Sequence, residues 1–217
     1  QDTSQALARA ISNARSDTEN KPFKGVVLDL RNNPGGLLDQ AVQTADIFLE
    51  KGEIAGTRGR HPNSRQTFNA AARDLVDGLP LIVLVNGGSA SGSEVVAAAL
   101  QDLGRAVLVG TNSYGKGTVQ TVLRLPNNGE MTLTWSRLLA PSGYIIHGLG
   151  VMPSVCTHGA GQVADAAQLI GELRSGALGT AANLPAWRTN TVPNGTQVAE
   201  LRQRCKSDNR SPDVDLA

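Results

Sequence analysis

The stretch that decides the reading of this chain is VGTNSYGKGTVQ, residues 109–120. Gly110, four intervening residues and Gly115-Lys116 come close to the phosphate-binding pattern G-x-x-x-x-G-K-[ST]. Such a loop needs a strand before it and a helix after it, so that the free N–H groups and dipole of the helix N-terminus meet the phosphates. RAVLVG (105–110) supplies the strand. After the lysine, however, comes GTVQTVLRL, an alternating segment rich in β-branched residues that reads as another strand. Position 117, where magnesium would need a hydroxyl, is glycine. The loop is not built for a nucleotide. Lys116 is either a solvated loop lysine or a lysine placed for chemistry, and the rest of the chain must decide.

Working outward, GVVLDLR (25–31) and LPLIVLVN (79–86) are apolar runs that predict strands buried on both faces. Each is followed by a glycine-rich turn, NNPGG (32–36) and GGSASGS (87–93), and then by a helical pattern over 37–49 and 92–103. Residues 59–75 are polar and unperiodic and predict a long surface loop. Beyond Gly117, Val119, Thr121, Leu123 and Leu125 alternate, PNNG (126–129) turns, and Met131, Leu133 and Trp135 alternate again, which predicts a β-hairpin. Helical spacing also marks 4–15, 163–174 and, weakly, 197–204. The order strand–helix–strand–helix–strand predicts an α/β domain of βαβ units. Residues 1–176 form the expected core, and 177–217 a polar extension expected to be partly disordered.

Composition narrows the function. The chain has 217 residues, 40% hydrophobic, enough for one domain with a sizeable core. Its net charge of +1 comes from intermixed signs, so nucleic acid is not an expected partner. No apolar run approaches the roughly 18–20 residues that span a bilayer. The first residues, QDTSQALARAISNARSD, lack the charged, apolar and small-residue regions of a signal peptide. Cys156 and Cys205 are not at zinc-ligand spacing, and neither a metal nor a cofactor is implied. They are either two small hydrophobic residues or a disulfide tying the C-terminal tail to the core, which would imply an oxidising compartment.

Two junctions bear on Lys116. Ser91-Gly-Ser-Glu94 stands between a strand and a helix. It fits the capping box S-x-x-E, which needs no catalysis, and it also fits the placing of a nucleophile beside free helix N–H groups. The pentapeptide G-x-S-x-G is absent, since Ser89 stands two places before Ser91. NNPGG is a turn, or a source of bare N–H groups for a developing oxyanion. His61, His147 and His158 lie outside these motifs, so a Ser–His–Asp triad has no support.

Taken together, GVVLDLRNNPGG, VNGGSASGSEVVAAALQD and VGTNSYGKGTVQ resemble, in order and spacing, the C-terminal processing (tail-specific) serine peptidases, from about Gly25 to Pro153. The resemblance implies a crotonase/ClpP-like α/β core with a β-hairpin after the lysine. It implies Ser91 as nucleophile, Lys116 as general base and Gln120 as the group orienting the lysine, with an acyl-enzyme intermediate. The oxyanion would be held by the N–H of Gly92 and by that of Gly35 or Gly36. A lysine can act as base only when burial lowers its affinity for the proton, so Lys116 is expected to be shielded from water. A neutral Gln120 suits this, because an aspartate would keep the lysine charged. The family usually has alanine after the serine, where this chain has Gly92, and a PDZ domain with a preceding strand, expected to be absent because only 24 residues precede Gly25.

By the same resemblance the partner is a protein or peptide substrate, cut in extended or C-terminal segments near small or apolar residues. The expected location is the bacterial periplasm or cell envelope, and a homo-oligomer is left open. Two other classes compete. Related repeats of eye retinoid-binding proteins carry apolar ligands on a similar scaffold without catalysis, but such a binder has no need of Ser91, Lys116 and Gln120 together. Acyl-CoA chemistry on a crotonase-like scaffold would need no Ser–Lys pair, and no adenine pocket is identifiable.

Overall fold

A computed structural model describes residues 2–16, 23–71, 74–157 and 195–207. The chain begins with α1 (Thr3–Ser16), β1 (Val26–Asp29) and α2 (Leu38–Asp46). A β-hairpin comes next, β2 (Glu53–Arg58) and β3 (Gln66–Asn69), then β4 (Leu81–Val85), α3 (Gly92–Asp102) and β5 (Val107–Gly110). A second hairpin, β6 (Thr118–Arg124) and β7 (Glu130–Leu139), precedes β8 (Val155–Cys156) and α4 (Gly195–Gln203). The expected helix at 163–174 lies outside the described residues.

These strands form two four-stranded sheets. One is parallel, in the order β1-β4-β5-β8, with Leu28 beside Val83 and Val83 beside Leu108. The other is antiparallel, in the order β3-β2-β7-β6. In the parallel sheet β4 is interior, which is why LIVLV carries no polar residue and buries Val83 and Val85 completely. Helix α3 runs from β4 to β5 with all its residues buried, and its small side chains let it pack closely on α2. Val95, Leu100, Phe48, Leu108 and Ile146 fill the core. Each such side chain contributes about 1.5–3 kcal/mol by leaving water.

Two local expectations are corrected. The run GVVLDLR is not buried on both faces, because β1 is an edge strand and Val27 is 62% exposed. Residues 59–75 are not a single loop: β3 lies within them, paired with a β2 that lacks an apolar run long enough to show in the sequence. Thr57 holds this hairpin together, its hydroxyl donating to Ser64 O (2.7 Å) and accepting from Gln66 N (3.2 Å). The β6–β7 hairpin forms as expected, yet its distal half is exposed on both faces. Leu123 and Met131, which pair across it, are 42% and 38% exposed.

The layout places the chemistry. NNPGG comes after β1, Ser91 after β4 and Lys116 after β5, and these are adjacent parallel strands. All three turns emerge at the C-terminal edge of one sheet, where open α/β sheets bind their ligands.

Candidate active site

Ser91 adopts φ 54° and ψ −115°, a conformation that costs a non-glycine residue about 1–3 kcal/mol and persists only when its surroundings hold it. The bonds that hold it come from both neighbouring turns. Ala90 N–H donates to Asn33 O (3.0 Å), and Ser89 hydroxyl donates to Leu30 O (2.8 Å), which ties the serine turn to NNPGG. Asn86 and Asn32 bond side chain to side chain and side chain to backbone across the same gap. Tyr114 N–H donates to Ser89 O (2.9 Å), which ties the serine turn to the lysine loop.

The strongest link is Glu94. Its Oε2 accepts from the N–H of Ser91 and from the N–H of Lys116, both at 2.8 Å, while Oε1 accepts from Gly115 N–H (2.7 Å) and from the Ser113 hydroxyl. One fully buried carboxyl thus fixes the backbone of both candidate catalytic residues. Burial pushes this carboxyl above the usual carboxylate range, opposed by the four donors, which favour the ionised form. In the sequence Glu94 reads only as a helix-start residue. The signal for more was its company: an acid opening SEVVAAAL, a helix otherwise apolar enough to be wholly buried.

The glycines divide their duties. Gly35 has φ +86°, and a Cβ there would come within 2.5 Å of both Ala90 O and Gly92 N, so only glycine lets the two turns approach. Its own N–H donates to Asn33 Oδ1 (2.9 Å) and is taken. The N–H groups of Gly36 and Gly92 have no partner among the described residues, and a Cβ on Gly92 would lie 3.2 Å from Gly36 N. A groove of about 530 Å³ opens beside them, lined by Leu7, Leu28, Leu30, Leu37, Ala41 and Val96.

The side chains of the expected dyad are less closely joined than their backbones. Lys116 is exposed, which corrects the expectation of shielding, and Gln120 is exposed on edge strand β6. Among the described residues no hydrogen bond joins the Lys116 ammonium to Ser91 Oγ or to Gln120. The physical reason is position: Lys116 lies where the chain leaves the parallel sheet for the exposed hairpin, and only its backbone is packed. Cys156 and Cys205 are joined by a disulfide.

Residues 1–157 match the description of peptidase family S41. The chain belongs to that family. A carboxy-terminal-processing protease of Bartonella bacilliformis (strain ATCC 35685 / KC583 / Herrer 020/F12,63) is 52% identical over 149 residues, which is 69% of this chain and 34% of that protein. The solved photosystem II D1 C-terminal processing protease superposes with a TM-score of 0.64 at 33% identity, covering 71% of this chain and 39% of that one. Mature CPAF, 16% identical with a TM-score of 0.57 over 70% of this chain and 41% of its own, shares the fold. This S41 chain spans about a third of the length of the curated relative from Bartonella. The S41 match ends just after Cys156, so α4 and Cys205 lie beyond it.

Proposed function

We propose that this S41 chain carries the catalytic core of a serine endopeptidase that cleaves extended or C-terminal segments of proteins. Ser91 attacks the peptide carbonyl, Lys116 takes the serine proton and then gives it to the leaving amine, and water hydrolyses the resulting acyl-enzyme. Gln120 orients Lys116 once substrate is bound. The observation that carries this reading is the single carboxyl of Glu94 tying Ser91 and Lys116 at 2.8 Å each, an arrangement a plain helix cap does not need.

Gly36 and Gly92 supply the free N–H groups that suit an oxyanion, with Gly35 letting them meet. A peptide lying across Ser91 would exclude water from the exposed Lys116, so substrate itself supplies the shielding that a lysine base requires. The apolar groove beside the oxyanion glycines suits a small or apolar side chain next to the cut bond. The Bartonella relative's name as a carboxy-terminal-processing protease supports the substrate class. A periplasmic or envelope location agrees with the disulfide, which persists in oxidising compartments.

Digestion of an unstructured protein, read by mass spectrometry, tests the reading. The parent should cut, and Ser91→Ala and Lys116→Ala should not. Equal behaviour of all three, each shown to be folded, would remove the Ser–Lys assignment and leave a binding scaffold.

A further inference from the structure

The lysine loop is held from the inside by Glu94 and from the outside by a residue that lies beyond the S41 match. Arg202, on α4, donates through Nη2 to Ser113 O (2.9 Å) and through Nη1 to Leu149 O (2.6 Å) and Gly148 O (3.4 Å). These carbonyls belong to two segments that clamp each other. Gly148 N–H donates to Gly115 O (2.9 Å), Ser113 N–H to Val151 O (3.1 Å), and Val151 N–H to Ser113 Oγ (2.7 Å). Gly150 makes room for the guanidinium, since a Cβ there would stand 3.0 Å from Nη1.

Helix α4 is a short element that buries Leu201 and packs Val198 partly against the core. Its anchor is covalent. Cys205 is bonded to Cys156 of β8, and Cys156 pairs with Gly110, the last residue of β5 before the lysine loop. Cys205 Sγ lies 3.6 Å from Gly110 O. The disulfide therefore fastens α4 at the root of the loop whose middle, at Ser113, Arg202 grips.

We infer that Arg202 is a positioning residue for Lys116, and that the Cys156–Cys205 disulfide keeps it in place, so that the oxidation state of this pair sets how firmly the lysine loop is held. The catalytic part of this inference rests on the Ser–Lys reading above; the mechanical part does not. A dithiol reductant would reverse the brace. Its two thiols are oxidised to a disulfide, their hydrogens pass to Cys156 and Cys205, and the bond between those sulfurs breaks.

The test uses the full chain and reads amide hydrogen exchange alongside steady-state kinetics on a peptide the parent cuts. In Arg202→Met, which keeps the apolar stem, exchange at Gly115 and Lys116 should rise about tenfold while Val83 and Val85 in β4 stay protected. Arg202→Lys should restore part of that protection. Dithiol treatment of the folded parent, and separately the Cys156→Ser, Cys205→Ser double variant, should produce the same local change. Turnover should fall several-fold in Arg202→Met with KM close to the parent value. Unchanged protection at Gly115 and Lys116 in Arg202→Met or after reduction overturns the brace. A rise spread equally over Val83 and Val85 overturns it too, since that is general loosening. A parent that cuts no better than Ser91→Ala removes the peptidase reading, and the exchange data still decide the brace.

Discussion

Replacing Glu94 by glutamine keeps the shape of the side chain and turns one acceptor oxygen into an NH2 group. Oε1 serves Ser113 and Gly115, and Oε2 serves Ser91 and Lys116. A carboxamide has one oxygen and can serve only one of these pairs. With that oxygen turned to Ser91 and Lys116, the Ser113 hydroxyl can rotate and accept, but Gly115 N–H is left facing another donor. A buried unsatisfied donor costs about 1–3 kcal/mol, and each lost bond to a charged acceptor about 1.5–3 kcal/mol. Removing a buried charge offsets part of this.

The expected net loss is therefore about 2–4 kcal/mol, measured as a shift in the urea midpoint at unchanged slope. Activity should suffer more than stability. The backbone is freed to move at Gly115, next to Lys116, and a misplacement of the lysine by about 1 Å is worth roughly 100-fold in turnover. The expected signature is a folded Glu94→Gln protein with KM near the parent value and turnover down by about that factor. A midpoint shift below about 0.5 kcal/mol together with turnover within about twofold of the parent would refute the reasoning, because the carboxyl would then hold nothing that matters.

Three further outcomes are expected. Gly35→Ala should lower turnover by about 100-fold or more and reduce stability, because its Cβ strikes backbone at 2.5 Å, whereas Gly36→Ala, with nothing within 4 Å of its Cβ, should stay within a few-fold; the reverse order would remove the oxyanion geometry. His147 is half-buried, and that burial, with Arg137 nearby, holds its imidazole below the ordinary 6.5. A depressed folded-state value means stability that is present above the ordinary value and lost as pH falls through the folded one, so His147→Gln should flatten the fall in urea midpoint as pH is lowered from neutral through and below 6.5. Identical slopes in parent and variant would count against it. Ala41→Leu should fill the groove beside Gly36 and shift cut sites toward smaller side chains, read by mass spectrometry of the same digest; an unchanged set of sites would show that the groove does not receive the side chain at the cut.

Wherever apolar period and glycine punctuation agree, this fold could be read in advance. LIVLV followed by GGSASGS, and VVLD followed by NNPGG, gave strand, turn and helix in the right places. β2 and β3 could not be read, because EIAGTR and QTFN make a sheet through pairing with each other and with β7 rather than through any pattern of their own. The exposure of Val27 escaped for a related reason: a run of apolar residues says that a strand is sticky, not that something covers it.

The site divides along the same line. Which residues meet is set by topology, and β1, β4 and β5 being neighbours brings NNPGG, Ser91 and the lysine loop to one edge. How they are held depends on single contacts with no periodicity. Glu94 reaches across 22 residues to Lys116, and Arg202 across 89 to Ser113. Three of the four groups that Glu94 holds, and the three carbonyls that Arg202 grips, belong to the backbone and leave little in the sequence to pair these side chains with. That also explains how Lys116 can be exposed and still fit the proposed site: its place is fixed through the main chain, by the bond from its N–H to Glu94.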